Sequence, residues 1–231
     1  MTGPGSRACV VVFGREPAAG RVKTRLAAGI GGLAAARVYA VTLEHTLAVT
    51  LDSGARVVLS LAGPPSGAWA REIDVPIELQ THGDLGDRMA DAFRRRFAEG
   101  ETRVMIVGSD CPWMTAEHLR SAASALEEMD VVLGPAVDGG YWLVGQRPPG
   151  VDLFTDIPWS SHNTLDQTRR RLAEADASWI ETERLRDIDT RQELRVALDD
   201  PRLPEGLCRR LGHAAKGGRV QGTGRRDGLE P

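Results

Sequence analysis

Short apolar runs alternate along the chain with longer segments whose apolar residues recur at helical spacing. The run ACVVVF at residues 8–13 is rich in β-branched residues and is followed by a glycine, a pattern typical of a strand buried on both faces. Comparable runs predict strands at residues 55–63, 75–80, 103–110, 130–136 and 140–146. Proline-free segments between and after them predict helices at residues 31–49, 85–100, 115–129, 160–175 and 191–200.

The alternation of strands and helices predicts an α/β fold with a mostly parallel sheet and helices on both faces. Ligands of such sheets bind outside the carboxyl ends of the strands. Residues 1–203 are expected to form one domain. Residues 204–231 are rich in Gly and Arg and poor in large apolar residues, so we expect them to be a disordered tail.

Composition narrows the class of protein. The chain has 231 residues, 42% of them hydrophobic, and a net charge of −3, so we expect no general affinity for nucleic acid. The three cysteines are widely spaced and indicate no disulfide framework. No secretory leader and no apolar stretch of membrane-spanning length is evident, which predicts a cytoplasmic protein without a membrane partner.

The loop GREPAAGRVKTRL, residues 14–26, follows the first predicted strand and combines cations with glycines. Backbone N–H groups exposed by glycine, together with Lys and Arg side chains, bind phosphate oxygens. The loop matches neither the Walker pattern nor GxGxxG, and the alternative is an exposed, solvated basic loop. The candidate phosphate-binding residues are Gly14, Arg15, Gly20, Lys23 and Arg25, with Arg21 as a further loop cation.

Aspartates lie at the end of one predicted strand and before one predicted helix. Asp110 ends the strand in VGSDCPWM, where a carboxylate suits Mg²⁺ or Mn²⁺; the alternative is a cap for the helix that begins near Thr115. Asp187 and Asp189 lie two residues apart on an extended segment and therefore point the same way. They either complete a metal site with Asp110 or cap the next helix, and the cap is the default interpretation.

The stretch GPAVDGGYWLVG is the most unusual part of the sequence. Asp138 precedes Gly139 and Gly140, whose backbones allow close approach of a ligand, and Tyr141 begins a strand. The alternative is a hairpin with an Asp-Gly turn. We expect Asp138 to face a ligand.

Two further segments carry weaker signals. QTHGDLGDRM contains Gly83, Gly86 and Arg88 after the third predicted strand and by itself indicates only a tight turn and a helix start. In DIPWSSHNT, residues Trp159, Ser160 and His162 are candidates to face an acceptor, although a single His at a helix start is more often structural.

Six motifs together resemble a bacterial family of GT-A-type transferases of largely unknown function, whose members are often described as glycosyltransferases linked to arsenosugar or selenium pathways. In order they are FGREPAAGRVKTRL, QTHGDLGDRM, GSDCPWM, GPAVDGGYWLVG, DIPWSS and DIDTRQEL, covering residues 8–198. That family is similar to nucleotidyltransferases such as the molybdopterin guanylyltransferases and phospholactate guanylyltransferase. The chain departs from it in having Gly14-Arg15 where the family loop has Ala-Lys, and in lacking a DxD triplet at residues 108–110.

The resemblance implies a Rossmann-like GT-A fold and roles for several residues. Lys23 and Arg25 would hold the nucleotide phosphates, and Asp110 and Asp189 would hold the metal. The stretch from Gln80 to Arg88, which includes Gly83 and Gly86, would lie near the nucleobase.

The residues and the resemblance together predict a metal-dependent transferase with a nucleotide or nucleotide-sugar donor and a small-molecule acceptor. Glycosyl transfer is favoured, with Asp138 and Lys23 as catalytic residues and Gly139, Gly140, Tyr141 and Trp159 at the acceptor. Nucleotidyl transfer from an NTP to a phosphorylated acceptor is a close alternative, and a non-catalytic nucleotide-binding module is a third.

Overall fold

The computed structural model of the chain describes residues 7–155, 157, 159 and 163–216. Its strands are β1 (Cys9–Gly14), β2 (Arg56–Leu61), β3 (Ile77–Leu79), β4 (Val104–Gly108), β5 (Val131–Pro135), β6 (Tyr141–Gln146) and β7 (Trp179–Glu181). Its helices are α1 (Thr24–Ile30), α2 (Gly32–Asp52), α3 (Gly67–Ala70), α4 (Leu85–Ala98), α5 (Ala116–Ala125), α6 (Thr164–Glu174), α7 (Arg191–Asp199) and α8 (Glu205–Lys216).

All seven strands form one sheet, in the order β3-β2-β1-β4-β6-β5-β7. Strand β6 runs antiparallel to both of its neighbours, and the other strand pairs are parallel. The predicted α/β fold with a mostly parallel sheet is therefore confirmed, and so are the six predicted strands. Strand β7 was not predicted because it is a three-residue edge strand whose Ile180 is 38% exposed.

Alternation along β1 explains how helices cover both faces of the sheet. Val10 and Val12 belong to one buried cluster, which also receives residues of α1, α2, α5, α7 and α8. Cys9 and Val11 point the other way, into a second cluster with α4 and α6. Because side chains alternate between faces with a period of two, one apolar run supplies both cores.

Helix α8 corrects the prediction for the end of the chain. The expected disordered tail from residue 204 is wrong for Glu205–Lys216, because Leu207, Leu211 and Ala214 are buried along one face of α8. These apolar residues are four and three positions apart, a helical spacing that the Gly- and Arg-rich average composition of residues 204–231 concealed. Residues 217–231 lie outside the described part of the chain.

No helix within the described ranges combines the length and apolarity that a bilayer span requires.

Candidate active site

A cavity of about 510 Å³ lies at the carboxyl ends of four neighbouring strands, β3, β2, β1 and β4. The predicted ligand-binding edge of the sheet is therefore where the cavity lies. Eight of the candidate residues line it: Gly14, Arg15, Lys23, Arg25, Gln80, Arg88, Asp110 and Asp189. Arg21 and Tyr39 line it as well, so the wall is cationic on one side and acidic on another.

The loop between β1 and α1 buries one cation and leaves another exposed. Lys23, the N-cap of α1, has a left-handed backbone (φ 48°), and its side chain is only 5% exposed. Its Nζ donates to Asp110 Oδ2 at 2.7 Å and to Asp189 Oδ1 at 2.6 Å. Arg25 is 76% exposed, with Nη1 3.8 Å from Asp189 Oδ2. The alternative of a wholly solvated loop is therefore wrong for Lys23.

Three aspartates converge next to Lys23. One carboxylate oxygen each from Asp110, Asp187 and Asp189 lies within 4.8 Å of the others. The backbone N–H of Ile188 donates to the carbonyl oxygen of Asp110 at 3.1 Å, which fixes the segment against the end of β4. Ile188 itself is fully buried, so its two neighbours point together towards Asp110, as the spacing predicts.

The chemistry of this triad fits a divalent cation. Burial, and next the negative charges of Asp110 and Asp189, raise the pKa of Asp187 to about 7. Carboxylate oxygens are the ligands that Mg²⁺ and Mn²⁺ prefer, and a divalent cation relieves the repulsion among them. Lys23 lowers the pKa of Asp187, so it supplies part of the countercharge.

Other residues cap the adjacent helices. Thr115 caps α5 by accepting from the backbone N–H of His118, and Thr190 caps α7 by accepting from the backbone N–H of Glu193. The default interpretation of Asp187 and Asp189 as caps is therefore wrong, and so is the cap alternative for Asp110. All three carboxylates belong to the cluster instead.

Tyr39 connects the cationic loop to the acidic strand end. Its hydroxyl accepts from the backbone N–H of Arg15 at 2.9 Å and lies 2.8 Å from Ser109 Oγ, next to Asp110. A Cβ at Gly14 would lie 3.3 Å from this hydroxyl, so the glycine allows the close approach. One buried hydroxyl therefore holds both walls of the cavity.

The segment QTHGDLGDRM forms the other end of the cavity. Gly83 has φ +114°, and a Cβ there would lie 2.2 Å from the Asp87 carboxylate. Asp84 caps α4 in a capping box with Asp87, and Arg88 reaches back so that its Nε donates to the carbonyl oxygen of Gly83 at 3.1 Å. The predicted turn and helix start are confirmed, and they fix the position of Arg88.

Two of the predicted nucleotide-binding glycines, Gly86 and Gly20, have roles in the fold. Gly86 is buried, and a Cβ there would lie 2.7 Å from the Trp159 indole and 2.8 Å from the carbonyl oxygen of Phe154. Gly20 has φ +78° in the turn between β1 and α1. Neither is among the residues that line the cavity.

Polar groups of the motif GPAVDGGYWLVG form hydrogen bonds within its turn and with the start of α6. Asp138 Oδ1 accepts from the backbone N–H of Gly140 at 2.9 Å, and the carbonyl oxygen of Gly139 accepts from the backbone N–H of Leu165. The Asp-Gly hairpin turn, the alternative interpretation of this motif, is present between β5 and β6. The negative charge of Asp138 contributes to the raised pKa of Asp187, so this turn lies within electrostatic range of the triad.

The aromatic candidates for the acceptor pack against the core. Tyr141 and Trp159 are partly buried against the cluster formed with α4 and α6. Trp159 lies beside Phe154, with ring centroids 6.2 Å apart. Ser160 and His162 lie outside the described residues.

Sequence reasoning omitted two residues from the assigned site. Asp187 is not among the metal ligands that the resemblance implies, although its two-residue spacing from Asp189 is a usable signal. Tyr39 lies in the middle of α2, where no motif distinguishes it from a core residue.

Comparisons with known proteins agree with this architecture. A family model described as "Uncharacterized protein conserved in bacteria (DUF2064)" matches residues 43–161. A search of curated proteins finds no match. A crystal structure from Desulfovibrio desulfuricans G20, provisionally described as a nucleotide-diphospho-sugar transferase, is 26% identical with a TM-score of 0.81, covering 91% of this chain and 97% of that one.

Two more distant structures share the fold. A CMP:2-keto-3-deoxy-manno-octonic acid synthetase complexed with CTP has 11% identity and a TM-score of 0.55, over 83% of this chain and 97% of that one. Rv0371c of Mycobacterium tuberculosis, in complex with manganese, has 17% identity and a TM-score of 0.51, over 85% of this chain and 100% of that one. The fold is thus that of nucleotide-diphospho-sugar transferases and nucleotidyltransferases, and the chain belongs to the bacterial family DUF2064.

Proposed function

We propose that this protein is a metal-dependent transferase whose donor is activated by a nucleotide. The observation that carries the proposal is one cavity lined by four loop cations and by two members of a three-aspartate cluster. The phosphate chain of a nucleotide carries negative charge that cationic side chains and a divalent ion both stabilise. The two walls of the cavity offer one of each. The similarity over 91% of the chain to the Desulfovibrio protein supports the same class.

Asp110, Asp187 and Asp189 would hold Mg²⁺ or Mn²⁺. When bound, such an ion stabilises negative charge on the phosphate oxygens as the bond to the leaving group breaks. The manganese complex of Rv0371c supports a divalent ion on this fold.

The cations of the loop have distinct parts in this proposal. Arg15, Arg21 and Arg25 line the cavity and would neutralise the phosphates, with Arg15 positioned through its backbone bond to Tyr39. Lys23 is held by two aspartates and would act at the point where phosphate and metal meet. Gly14, which lines the cavity, would let the phosphates approach the backbone.

The acceptor would enter on the side of the Asp138 turn. Asp138 lies within electrostatic range of Asp187, and the backbone N–H of Gly140 fixes its carboxylate in the turn. We infer that Asp138 orients or deprotonates the acceptor. Tyr141 and Trp159 would support that side through packing, because both lie against the core.

Glycosyl transfer from a nucleotide sugar is the favoured chemistry, in keeping with the description of the Desulfovibrio protein. Nucleotidyl transfer has its own support in the density of cations around the cavity, because Arg15, Arg21 and Arg25 together with a divalent ion would carry enough positive charge for a triphosphate. In that case the acceptor would be a phosphorylated small molecule.

Product analysis tests the proposal and separates the two chemistries. The protein is incubated with Mg²⁺ or Mn²⁺ and an acceptor panel, once with NTPs and once with nucleotide sugars. Release of a nucleoside diphosphate from a nucleotide sugar supports glycosyl transfer, and release of pyrophosphate from an NTP supports nucleotidyl transfer. Tight nucleotide binding without turnover on either panel would identify a binding module instead.

A further inference from the structure

The end of the cavity opposite the aspartates is built from a polar pair and an apolar surface. Gln80 follows β3 and Arg88 lies in the first turns of α4; both line the cavity together with Leu85, which is 43% exposed. In the order β3-β2-β1-β4, three strand spacings of about 4.8 Å each separate the ends of β3 and β4, roughly 14 Å in all. Gln80 and Asp110 therefore mark opposite ends of an elongated site.

The carboxamide of Gln80 has one orientation that satisfies its neighbours. Its Nε2 donates to the carbonyl oxygen of Ser60 at 2.9 Å. Its Oε1 accepts from Nη1 of Arg88 at 3.4 Å. Reversing the amide would place two donors together and two acceptors together, so Oε1 stays beside the guanidinium.

The guanidinium of Arg88 is fixed by its partners on one side. Nε donates to the carbonyl oxygen of Gly83 at 3.1 Å, and Nη1 contacts Gln80. Among the residues that the structure describes, none accepts a hydrogen bond from Nη2. The pair therefore presents an acceptor, Gln80 Oε1, beside two adjacent donor groups, Nη1 and Nη2 of Arg88.

We propose that the Gln80–Arg88 pair recognises the cytosine base by hydrogen bonding, so that the donor is a cytidine nucleotide. The Watson–Crick edge of cytosine carries the N4 amino donor, then the N3 and O2 acceptors. Acceptor, donor, donor on the protein complements donor, acceptor, acceptor on the base. The exposed face of Leu85 gives the ring an apolar surface. This inference rests on the proposed nucleotide-activated donor.

The other bases match this pair less well. Uracil presents acceptor, donor, acceptor, which places its N3–H against a donor of Arg88. Adenine presents a single acceptor beside its amino group. Guanine offers two acceptors only on its Hoogsteen edge, and its N1–H lies on another edge of the ring. An unmatched donor or acceptor loses its hydrogen bond to water without replacement, which makes the mismatch costly.

The test compares CDP, UDP, GDP and ADP, which differ in the base and share the diphosphate, with inorganic pyrophosphate as a base-free probe. Affinities are measured by calorimetric titration in the presence of Mg²⁺. We expect CDP to bind at least about tenfold more tightly than the other three, since a bidentate base contact commonly discriminates by this much or more. Preference for another base would overturn the inference.

The variant Arg88→Met distinguishes recognition of the base from binding of the phosphates. We expect it to weaken CDP binding to the level of UDP while leaving the affinities for UDP and pyrophosphate unchanged. Equal weakening of all five ligands would overturn the inference, because Arg88 would then hold phosphate. Gln80→Met provides a second variant with the same expected loss of selectivity, should Arg88→Met fail to fold.

Arg95→Met is the matched control. Arg95 is on the same helix, contacts the carbonyl oxygen of Leu79 and Asp91, and does not line the cavity. We expect its affinities to equal those of the unmodified protein. If pyrophosphate binds and no base is preferred, the cytosine inference fails alone; if neither pyrophosphate nor any nucleotide binds, the proposed function fails with it.

Discussion

The two sides of the aspartate cluster use equally unusual motifs in different ways. On the proposed donor side, the loop after β1 and the segment from Gln80 to Arg88 direct charged and polar side chains towards one cavity. On the proposed acceptor side, the Asp138 carboxylate accepts a hydrogen bond from the backbone of its own turn, and Tyr141 packs against the core. A distinctive motif therefore shows that its local backbone conformation requires particular residues. Whether the motif also binds a ligand depends on which partners its side chains already have within the protein.

The aspartate cluster is where the two sides meet, so its loss is expected to have the largest effect. Asp110→Asn removes a charge while keeping the size of the side chain. We expect affinity for Mn²⁺ and turnover to fall more than about 100-fold, since even residues behind metal ligands contribute 10- to 100-fold. Titration with Mn²⁺ and steady-state rates measure both. The asparagine oxygen can still accept from Lys23 Nζ, the lost charge relieves repulsion with Asp187, and Thr115 still caps α5, so stability should change little. Full activity in the variant would remove the metal assignment.

The acceptor side is tested by Asp138→Asn. The asparagine oxygen can still accept from the backbone N–H of Gly140, so the turn should be preserved. If Asp138 acts on the acceptor, turnover should fall about 100-fold or more while the affinity for the donor nucleotide stays the same. Rates and nucleotide titration give the two quantities. An unchanged rate would leave Asp138 with only its structural role.

The buried and exposed cations of the donor side provide a matched pair. Lys23→Met leaves two carboxylates without their ammonium partner, and we expect it to lower the free energy of unfolding by about 1–3 kcal/mol. Arg25→Met removes the same charge from an exposed side chain and should change it by less than about 0.5 kcal/mol. Urea denaturation compares them. Equal effects of the two substitutions would show that buried Lys23 contributes no more to the free energy of unfolding than exposed Arg25.

A pH-dependent effect on stability is expected from the protonation of Asp187. Its pKa rises from 3.8 to about 7 on folding, mainly through burial. Between these values the folded protein binds more protons than the unfolded chain, so the Asp187 contribution to stability falls as pH rises through this range. The substitution Asp187→Asn removes the titrating carboxyl and therefore abolishes this loss of stability at high pH.

The variant Asp187→Asn should therefore melt at a higher temperature than the unmodified protein at pH 8. The difference should shrink towards zero as the pH falls to about 3, where the Asp187 carboxyl of the unmodified protein is protonated in the folded and in the unfolded state. Thermal melts in a chelator, with Asp176→Asn as an exposed control, provide the comparison. A difference that does not vary with pH would contradict the raised pKa.

The fold was largely predictable because its signals are local and repeated. Six apolar runs predicted six strands, and the helix expected to begin near Thr115 does so, with Thr115 as its cap. Helix α8 was missed because its amphipathic spacing is embedded in a segment of tail-like composition. The three-residue edge strand β7 has no periodicity long enough to recognise.

The candidate site was predictable in its parts and less so in its assembly. The loop cations and Asp110 were predictable because each follows a predicted strand. Asp187 and Asp189 were predictable from their two-residue spacing on an extended segment. The pairing of Lys23 with Asp110 and Asp189 spans 87 and 166 residues, and no local pattern encodes such a contact. The link from Tyr39 to the backbone of Arg15 likewise depends on how α2 packs against the sheet.

The most direct test is the position of manganese and nucleotide in crystals grown with Mn²⁺ and CDP, located by anomalous diffraction. We predict a manganese peak among Asp110, Asp187 and Asp189, with the phosphates between it and the cations of the loop after β1. A manganese ion held elsewhere, or phosphates bound outside the cavity, would contradict the account.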